Sequence, residues 1–215
     1  MGAIIGYGEM LNSGVFGELN EAQLEATQEI LDSSNQLLTF INNLIGQAQL
    51  ETGKIILHRR IFEPRMLVEE VFATVRYHVT KKGLELAYEI DPQLPDPLIG
   101  DDYWLKQILL NLVNNAIKFT DSGCIKTRLL AQDPAHWVIE VSDTGIGIPE
   151  ENLEMIFSPF QQVDGTLTRK RGGSGLGLSI VKQLAESMDG SVRVESLPGQ
   201  GSTFIVLLPI QESQE

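Results

Sequence analysis

Basic residues are missing from the first quarter of this chain and scarce in the rest. Residues 1–53 hold no Lys or Arg but seven acids (Glu9, Glu18, Glu21, Glu25, Glu29, Asp32 and Glu51). Over all 215 residues, 16 basic side chains face 29 acidic ones, a formal net charge of −13. Phosphate neutralisation needs a cationic face, so general DNA or RNA binding is excluded, as is adhesion to an anionic membrane. Cysteine is nearly absent too. With Cys124 alone, neither an internal disulfide nor a thiolate metal cluster can form, which fits a reducing compartment. No apolar run approaches the ~20 residues that span a bilayer, and the N-terminus lacks the basic start of a signal peptide. These absences predict a cytoplasmic chain with no nucleic-acid partner and no membrane contact. What is present, 42% hydrophobic and 21% charged residues, is enough for a packed core.

The apolar spacing divides the chain near residue 52. Before it, Leu24, Leu31, Leu38 and Ile45 recur every seven residues, with Thr27, Ser34, Ile41 and Ala48 between them and Ile30, Leu37 and Leu44 widening the stripe. Asn20, followed by Glu21 and Gln23, reads as a helix start, and Gly53 as its stop. The spacing predicts one helix over 20–52. Ala3–Leu11 reads as the tail of another, joined through a Gly14/Gly17 turn. So wide an apolar stripe needs partners, which a hairpin pairing with its copy would supply. The acidic side is either a solvated face or a docking surface.

After residue 52 strands and helices mix. Ile55–Leu57 reads as strand-like, Pro64 opens a helix, and Leu84–Ile90 alternates as a strand. Tyr103–Phe119 reads as an apolar helix, then Ile125–Ala131 and Trp137–Val141 as a hairpin around Asp133-Pro134. A helix over 174–188 and strands over 191–195 and 203–208 complete the pattern. Strands in pairs between helices favour an α+β sandwich over a doubly wound sheet.

Four stretches of this second region carry chemistry. In the first, Asn111, Asn115 and Lys118 fall at i, i+4 and i+7 on one helix face, opposite Leu109, Leu112, Val113 and Ala116. Amide oxygens are hard ligands and Lys is a phosphate cation, so the face suits a metal bound to phosphate; polar caps on a half-exposed helix would look the same. In the second, Asp143-Thr-Gly-Ile-Gly-Ile-Pro149 follows a strand. Its glycines admit a flat ligand and Asp143 can accept from an exocyclic amine, unless the stretch is only a tight turn. The third, Gly172-Gly-Ser-Gly-Leu-Gly-Leu178, leads into a helix whose first N–H groups form a phosphate site. No strand ends just before it, so a dinucleotide-fold reading fails on context. The fourth, Gly199-Gln-Gly-Ser-Thr-Phe204, is by itself only a turn.

In this order, with Phe157-Ser-Pro-Phe160 between the second and third, these stretches resemble the N box, glycine boxes and F box of the ATP-binding domain of sensor histidine kinases. The resemblance spans roughly Leu50 to Ile210. It implies a Bergerat-type ATP fold, an α/β sandwich, over 53–215, preceded by a partial dimerisation hairpin over 1–52. By position it implies ATP and Mg²⁺ as ligands. Asn111 and Asn115 would lie on the Mg²⁺ side and Lys118, with Phe119 beside it, near the phosphates. Asp143 would take the adenine amine, with Gly145, Gly147 and Ile148 shaping the base pocket. Gly173, Ser174, Gly175, Leu176 and Gly177 would offer amides to the phosphates, and Thr203 would support the adenine end. Phe157–Gly173 would be the lid, its Arg169-Lys170-Arg171 run either a phosphate-side cluster or a solvated loop.

The resemblance also places the phosphorylated histidine ahead of Ala3, so the expected chain is a fragment that binds ATP without autophosphorylating. His58, His78 and His136 read as structural or solvated. The expected partners are a second copy through the hairpin, a response-regulator receiver domain and an upstream sensor domain. Two other readings stay open: a gyrase- or chaperone-type ATP hydrolase, and an ATP-binding or dimerisation module without turnover. The hydrolases place a water-activating Glu one turn before the metal Asn; here that position is Asn111, whose amide is no base.

Overall fold

The computed structural model describes residues 2–51, 57–161 and 175–211, and the chain divides into two units, Met1–Glu51 and Thr52–Glu215. The first unit is a helical hairpin of α1 (Gly2–Asn12) and α2 (Glu21–Glu51). The start of α2 is closed reciprocally: the Gln23 N–H donates to Asn20 Oδ1 at 2.9 Å, and the Asn20 N–H to Gln23 Oε1 at 3.1 Å. Gly14 and Gly17 turn the chain with φ of 74° and 113°. The helices approach closely because position 8 has no side chain; a Cβ there would lie 2.7 Å from Leu31 Cδ2. Thr27, Leu31 and Ser34 are buried, whereas Ile4, Tyr7, Leu24, Ile30 and Leu37 remain exposed. The expected heptad seam is thus only partly covered within one chain, and the Leu38, Leu44, Ile45 and Ala48 side chains lie outside the described residues.

The second unit is built on a mixed five-stranded sheet ordered β2-β4-β5-β7-β6, where β2 is Glu85–Ile90, β4 Cys124–Asp133, β5 His136–Asp143, β6 Ser191–Leu197 and β7 Gly201–Pro209. β2 runs parallel to β4 and the other pairs are antiparallel. Among the described residues, three α-helices pack with it: α3 (Pro64–Lys82), α4 (Asp102–Phe119) and α5 (Gly177–Ser187), with α4 touching both others. α3 begins at Pro64, where a missing N–H costs nothing, and ends at Gly83 with φ 66°. The register puts Ile125, Thr127, Leu129, Ile139, Val141 and Val206 on one sheet face, where their exposure falls to zero. Asp143 is the last position of that same face. The α+β expectation is therefore met, and each predicted helix and hairpin is found within a few residues of its place.

A two-stranded ribbon went unforeseen. β1 (Arg60–Phe62) pairs antiparallel with β3 (Leu98–Gly100). Three-residue strands carry too little alternation to be read, and the prolines at 92, 95 and 97 mask the second. The strand-like run expected at 55–57 falls mostly outside the described residues, and Leu57 precedes β1 as irregular chain. Gly53, expected as the stop of the long helix, also lies outside them. Asp101 organises this corner. Its carboxylate caps α4 by accepting from the Trp104 N–H at 3.2 Å and accepts the His58 N–H at 2.7 Å.

Candidate functional site

The four stretches converge where α4, the ends of β5 and β7, and the start of α5 meet. Asp143 ends β5 with its side chain on the buried sheet face and accepts the Gly145 N–H at 2.8 Å. Burial pushes its carboxyl above the ordinary carboxylate range, while the N–H groups of Gly145 and Ser202 pull the other way. The fully buried Thr120 hydroxyl adds a weaker pull but makes no hydrogen bond of good geometry. A poorly solvated carboxylate, aimed by two N–H groups, is an acceptor for a donor brought by a ligand.

The loop after Asp143 is shaped by close approach. A Cβ at Gly145 would lie 2.5 Å from the Phe119 carbonyl oxygen, and one at Gly147, where φ is 68°, 2.0 Å from that of Leu197. The Ile146 N–H donates to the Phe119 carbonyl at 3.3 Å, which ties the loop to the end of α4. Phe119 thus acts through its backbone. Lys82, reaching over from α3, donates to the carbonyls of Ile117, Lys118 and Thr120 at 2.6, 3.4 and 3.1 Å, so an ammonium closes the C-terminus of α4.

At the other end stand Asn111, Asn115 and Lys118. Asn111 is buried, and its Nδ2 has no hydrogen-bond partner among the described residues. Its Oδ1 would lie 3.4 Å, and the Nδ2 of Asn115 3.9 Å, from a Cβ at Gly177, so the first turn of α5 abuts the asparagine face of α4. α5 starts from Leu176, which is fully buried and has no side-chain oxygen to cap the first N–H groups. Gly175 has φ 70°, and a Cβ there would lie 2.9 Å from the Phe160 carbonyl carbon. The Phe160 N–H donates to the Gly175 carbonyl at 3.1 Å, which joins the Phe157–Phe160 stretch to the third glycine stretch. Lys118 Nζ lies 4.8 Å from the centroid of the Phe119 ring.

Among the described residues no three His, Cys, Asp or Glu side chains converge on a metal. The unpartnered Asn111 Nδ2 is a donor that suits a phosphate oxygen, and the amide oxygens of Asn111 and Asn115 are hard ligands of the kind Mg²⁺ takes, so this face fits a magnesium–phosphate group. Gly173, Ser174, most of the expected lid and its Arg169-Lys170-Arg171 run lie outside the described residues.

One expected residue is placed differently. Thr203 pairs with Ser142 in the sheet, and their hydroxyls lie 3.1 Å apart. Side chains alternate along a strand, so Thr203 faces away from Asp143; its neighbour Ser202, the register partner of Asp143, shares the carboxylate's face. The hydroxyl on the Asp143 side of the sheet is therefore that of Ser202, and Thr203 lies on the opposite face. The alternation of β7 about its buried positions could have shown this. Ser196 was missed altogether: its hydroxyl accepts the Ile148 N–H at 2.8 Å.

Residues 100–212 match the family described as histidine kinase-, DNA gyrase B-, and HSP90-like ATPase. The chain is 39% identical over 99% of its length to hybrid signal transduction histidine kinase L of Dictyostelium discoideum, of which it covers 12%. It is 39% identical over 87% of its length to the signal transduction histidine-protein kinase BarA of Escherichia coli K12, covering 21% of that protein. The full-length ShkA structure in complex with AMPPNP superposes with a TM-score of 0.77 and 30% identity, over 98% of this chain and 43% of that one. The catalytic domain of the histidine kinase ThkA does so with a TM-score of 0.62 and 30% identity, over 72% of this chain and 99% of that one.

Proposed function

Because the chain belongs to the histidine kinase-, DNA gyrase B-, and HSP90-like ATPase family, as the ATP-binding catalytic portion of a sensor histidine kinase, we propose that it binds Mg²⁺·ATP and presents the γ-phosphoryl group to a histidine. The observation that carries this reading is the pairing of a buried, aimed carboxylate at Asp143 with the amide face of Asn111 and Asn115, against which the first turn of α5 packs at Gly177. Asp143 accepts the adenine amine. Asn111 and Asn115 hold the magnesium side, and the first amides of α5 take phosphate oxygens. Lys118 adds a cation to that end, and Gly145, Gly147 and Ile148 line the base. Magnesium, when bound, neutralises charge on the phosphates. The chain's own work is to orient the nucleotide and keep water from its base end, since phosphoryl transfer depends on position more than on protein nucleophiles.

The acceptor in this reading is a histidine N-terminal to Ala3 on the dimerisation helix of a longer protein. The exposed Ile4, Tyr7, Leu24, Ile30 and Leu37 support pairing with a second copy through the hairpin. A receiver domain is the downstream partner and a sensor domain the upstream one; the chain spans only 12% and 21% of the two kinases compared above. No helix among the described residues is long and apolar enough to cross a membrane, which supports a cytoplasmic placement of this portion.

The test is incubation with γ-labelled ATP of this chain and of a version extended upstream through the first bundle helix. The extended protein should take acid-labile, base-stable label and this chain none. An extended protein that binds ATP, dimerises and stays unlabelled would contradict the reading, as would label on the short chain.

A further inference from the structure

We infer that Ser196, on the edge strand β6, is a positioning residue for the base end of the nucleotide site, holding the Asp143–Pro149 loop in its ligand-ready shape. This rests on the nucleotide-binding reading above and goes beyond it, since Ser196 belongs to none of the glycine stretches.

A serine hydroxyl has one proton to give and two lone pairs to receive with. Ser196 Oγ accepts the Ile148 N–H at 2.8 Å and donates to the Gly201 carbonyl at 2.9 Å. The Ser202 hydroxyl lies 3.0 Å away. Ser196 and Ser202 are register partners across the β6–β7 hairpin, and Ser202 is in turn the partner of Asp143. One hydroxyl therefore joins two segments 48 residues apart, each of which shapes the base pocket.

The contacts around it leave little play. The Gly199 N–H donates to the Ile146 carbonyl at 2.8 Å, on the same seam. A Cβ at Gly147 would lie 2.0 Å from the Leu197 carbonyl oxygen, and one at Gly201 1.9 Å from that of Asp143. Loop and hairpin thus meet backbone to backbone. The Asp143 carboxylate takes the Ser202 N–H at one end of this seam, and the Ser196 side chain bonds the Ile148 end of the loop to the hairpin. Without its hydroxyl the Ile148 N–H turns to water, and the loop samples shapes in which the Gly145 N–H no longer aims the Asp143 carboxylate. The cost falls on base recognition. The asparagine face, on α4, is untouched.

The experiment compares the whole chain with Ser196→Ala and Ser196→Thr by calorimetry, using ADP and ATP with and without Mg²⁺, and by hydrogen exchange of the Ile148 amide without nucleotide. Loss of one such hydrogen bond corresponds to about 3- to 10-fold in affinity. Ser196→Ala should show that loss equally for every nucleotide, leave the Mg²⁺ enhancement factor at the parent value, and lose protection at Ile148 while Leu129 and Ile139 keep theirs. Ser196→Thr should restore both affinity and protection. Parent-like affinity in Ser196→Ala would overturn the inference, and so would an altered Mg²⁺ factor or a threonine variant as weak as the alanine one. If the parent itself binds no nucleotide, the functional reading fails; Ile148 exchange still decides whether Ser196 holds the loop, and unchanged protection overturns that too.

Discussion

At the base end of the site, protein meets protein at nearly every polar group: Asp143 is aimed by Gly145 and Ser202, the loop is tied to Phe119, and Ser196 closes the seam. At the phosphate end, the amide nitrogen of Asn111 is buried without a partner among the described residues, and the N-cap residue of α5, Leu176, has no side-chain oxygen to offer its first N–H groups. Apart from the buried Thr120 hydroxyl, the first end is bonded within the protein among the described residues; the second presents an amide nitrogen whose partner a ligand can bring. A flat base needs a pocket of fixed shape. A magnesium–phosphate group brings strong acceptors of its own and tolerates a site that it completes on binding. The difference predicts which substitutions cost affinity alone and which trade affinity against stability.

The largest effect is expected from Asp143→Asn. It removes a charge-assisted hydrogen bond worth about 1.5–3 kcal/mol, or about 10- to 150-fold in ATP affinity, and weakens discrimination against GTP, whose base presents a carbonyl there. Stability should move the other way. Burial raises the carboxyl's pKa in the folded state, so the folded chain binds the proton more readily than the unfolded one. The resulting stability is full below the unfolded pKa and is lost as pH rises through the folded value. Chemical denaturation of the nucleotide-free parent across that window should show the decline, and Asp143→Asn should flatten it. ATP affinity should fall as pH drops through the same raised pKa, because the adenine amine needs the ionised acceptor.

An intermediate effect tests the phosphate end. Asn111→Leu replaces an unsatisfied buried amide by an apolar group of similar size, so thermal stability without nucleotide should rise by about 1 kcal/mol, or about 2–4 °C. Mg²⁺ enhancement of ATP binding should vanish in that variant and in Asn115→Ala. A destabilised Asn111→Leu that keeps full Mg²⁺ enhancement would place Asn111 among structural polar groups and dissolve the contrast between the two ends.

Much of this architecture was legible in the sequence, for reasons that also mark the limits. The period of the apolar positions locates α2, α3 and α4, and Asn20 with Gln23 announces the capped start that is found. Asn111, Asn115 and the start of α5 could be singled out as candidates because each chemical group lies on one local element. Residues whose role depends on a distant segment could not. Ser196 matters through Ile148, Lys82 through the carbonyls at the end of α4, and Asp101 through His58; nothing in the local sequence of any of them names its partner. Thr203 and Ser202 show a related limit: which of two adjacent hydroxyls faces Asp143 is fixed by register, not by the motif.

The smallest effect is expected from Lys82→Met, which removes the ammonium closing the C-terminus of α4. A cation at a helix C-terminus is worth about 0.3–1 kcal/mol, a shift of a few degrees at most in a chain of this size. Because Phe119 carries the loop, the base end should weaken with it. Lys82→Arg should recover most of both effects, read by thermal melting and ADP titration.

The proposed nucleotide site joins a base end bonded within the protein to a magnesium–phosphate end that the ligand completes. Calorimetric titration of the parent with ATP and with GTP, each with and without Mg²⁺, tests it most directly. Saturable ATP binding that Mg²⁺ tightens, with GTP weaker under both conditions, is the expected result. A chain whose circular dichroism shows it folded, yet which binds no ATP, or takes GTP as tightly, or ignores Mg²⁺, would contradict it.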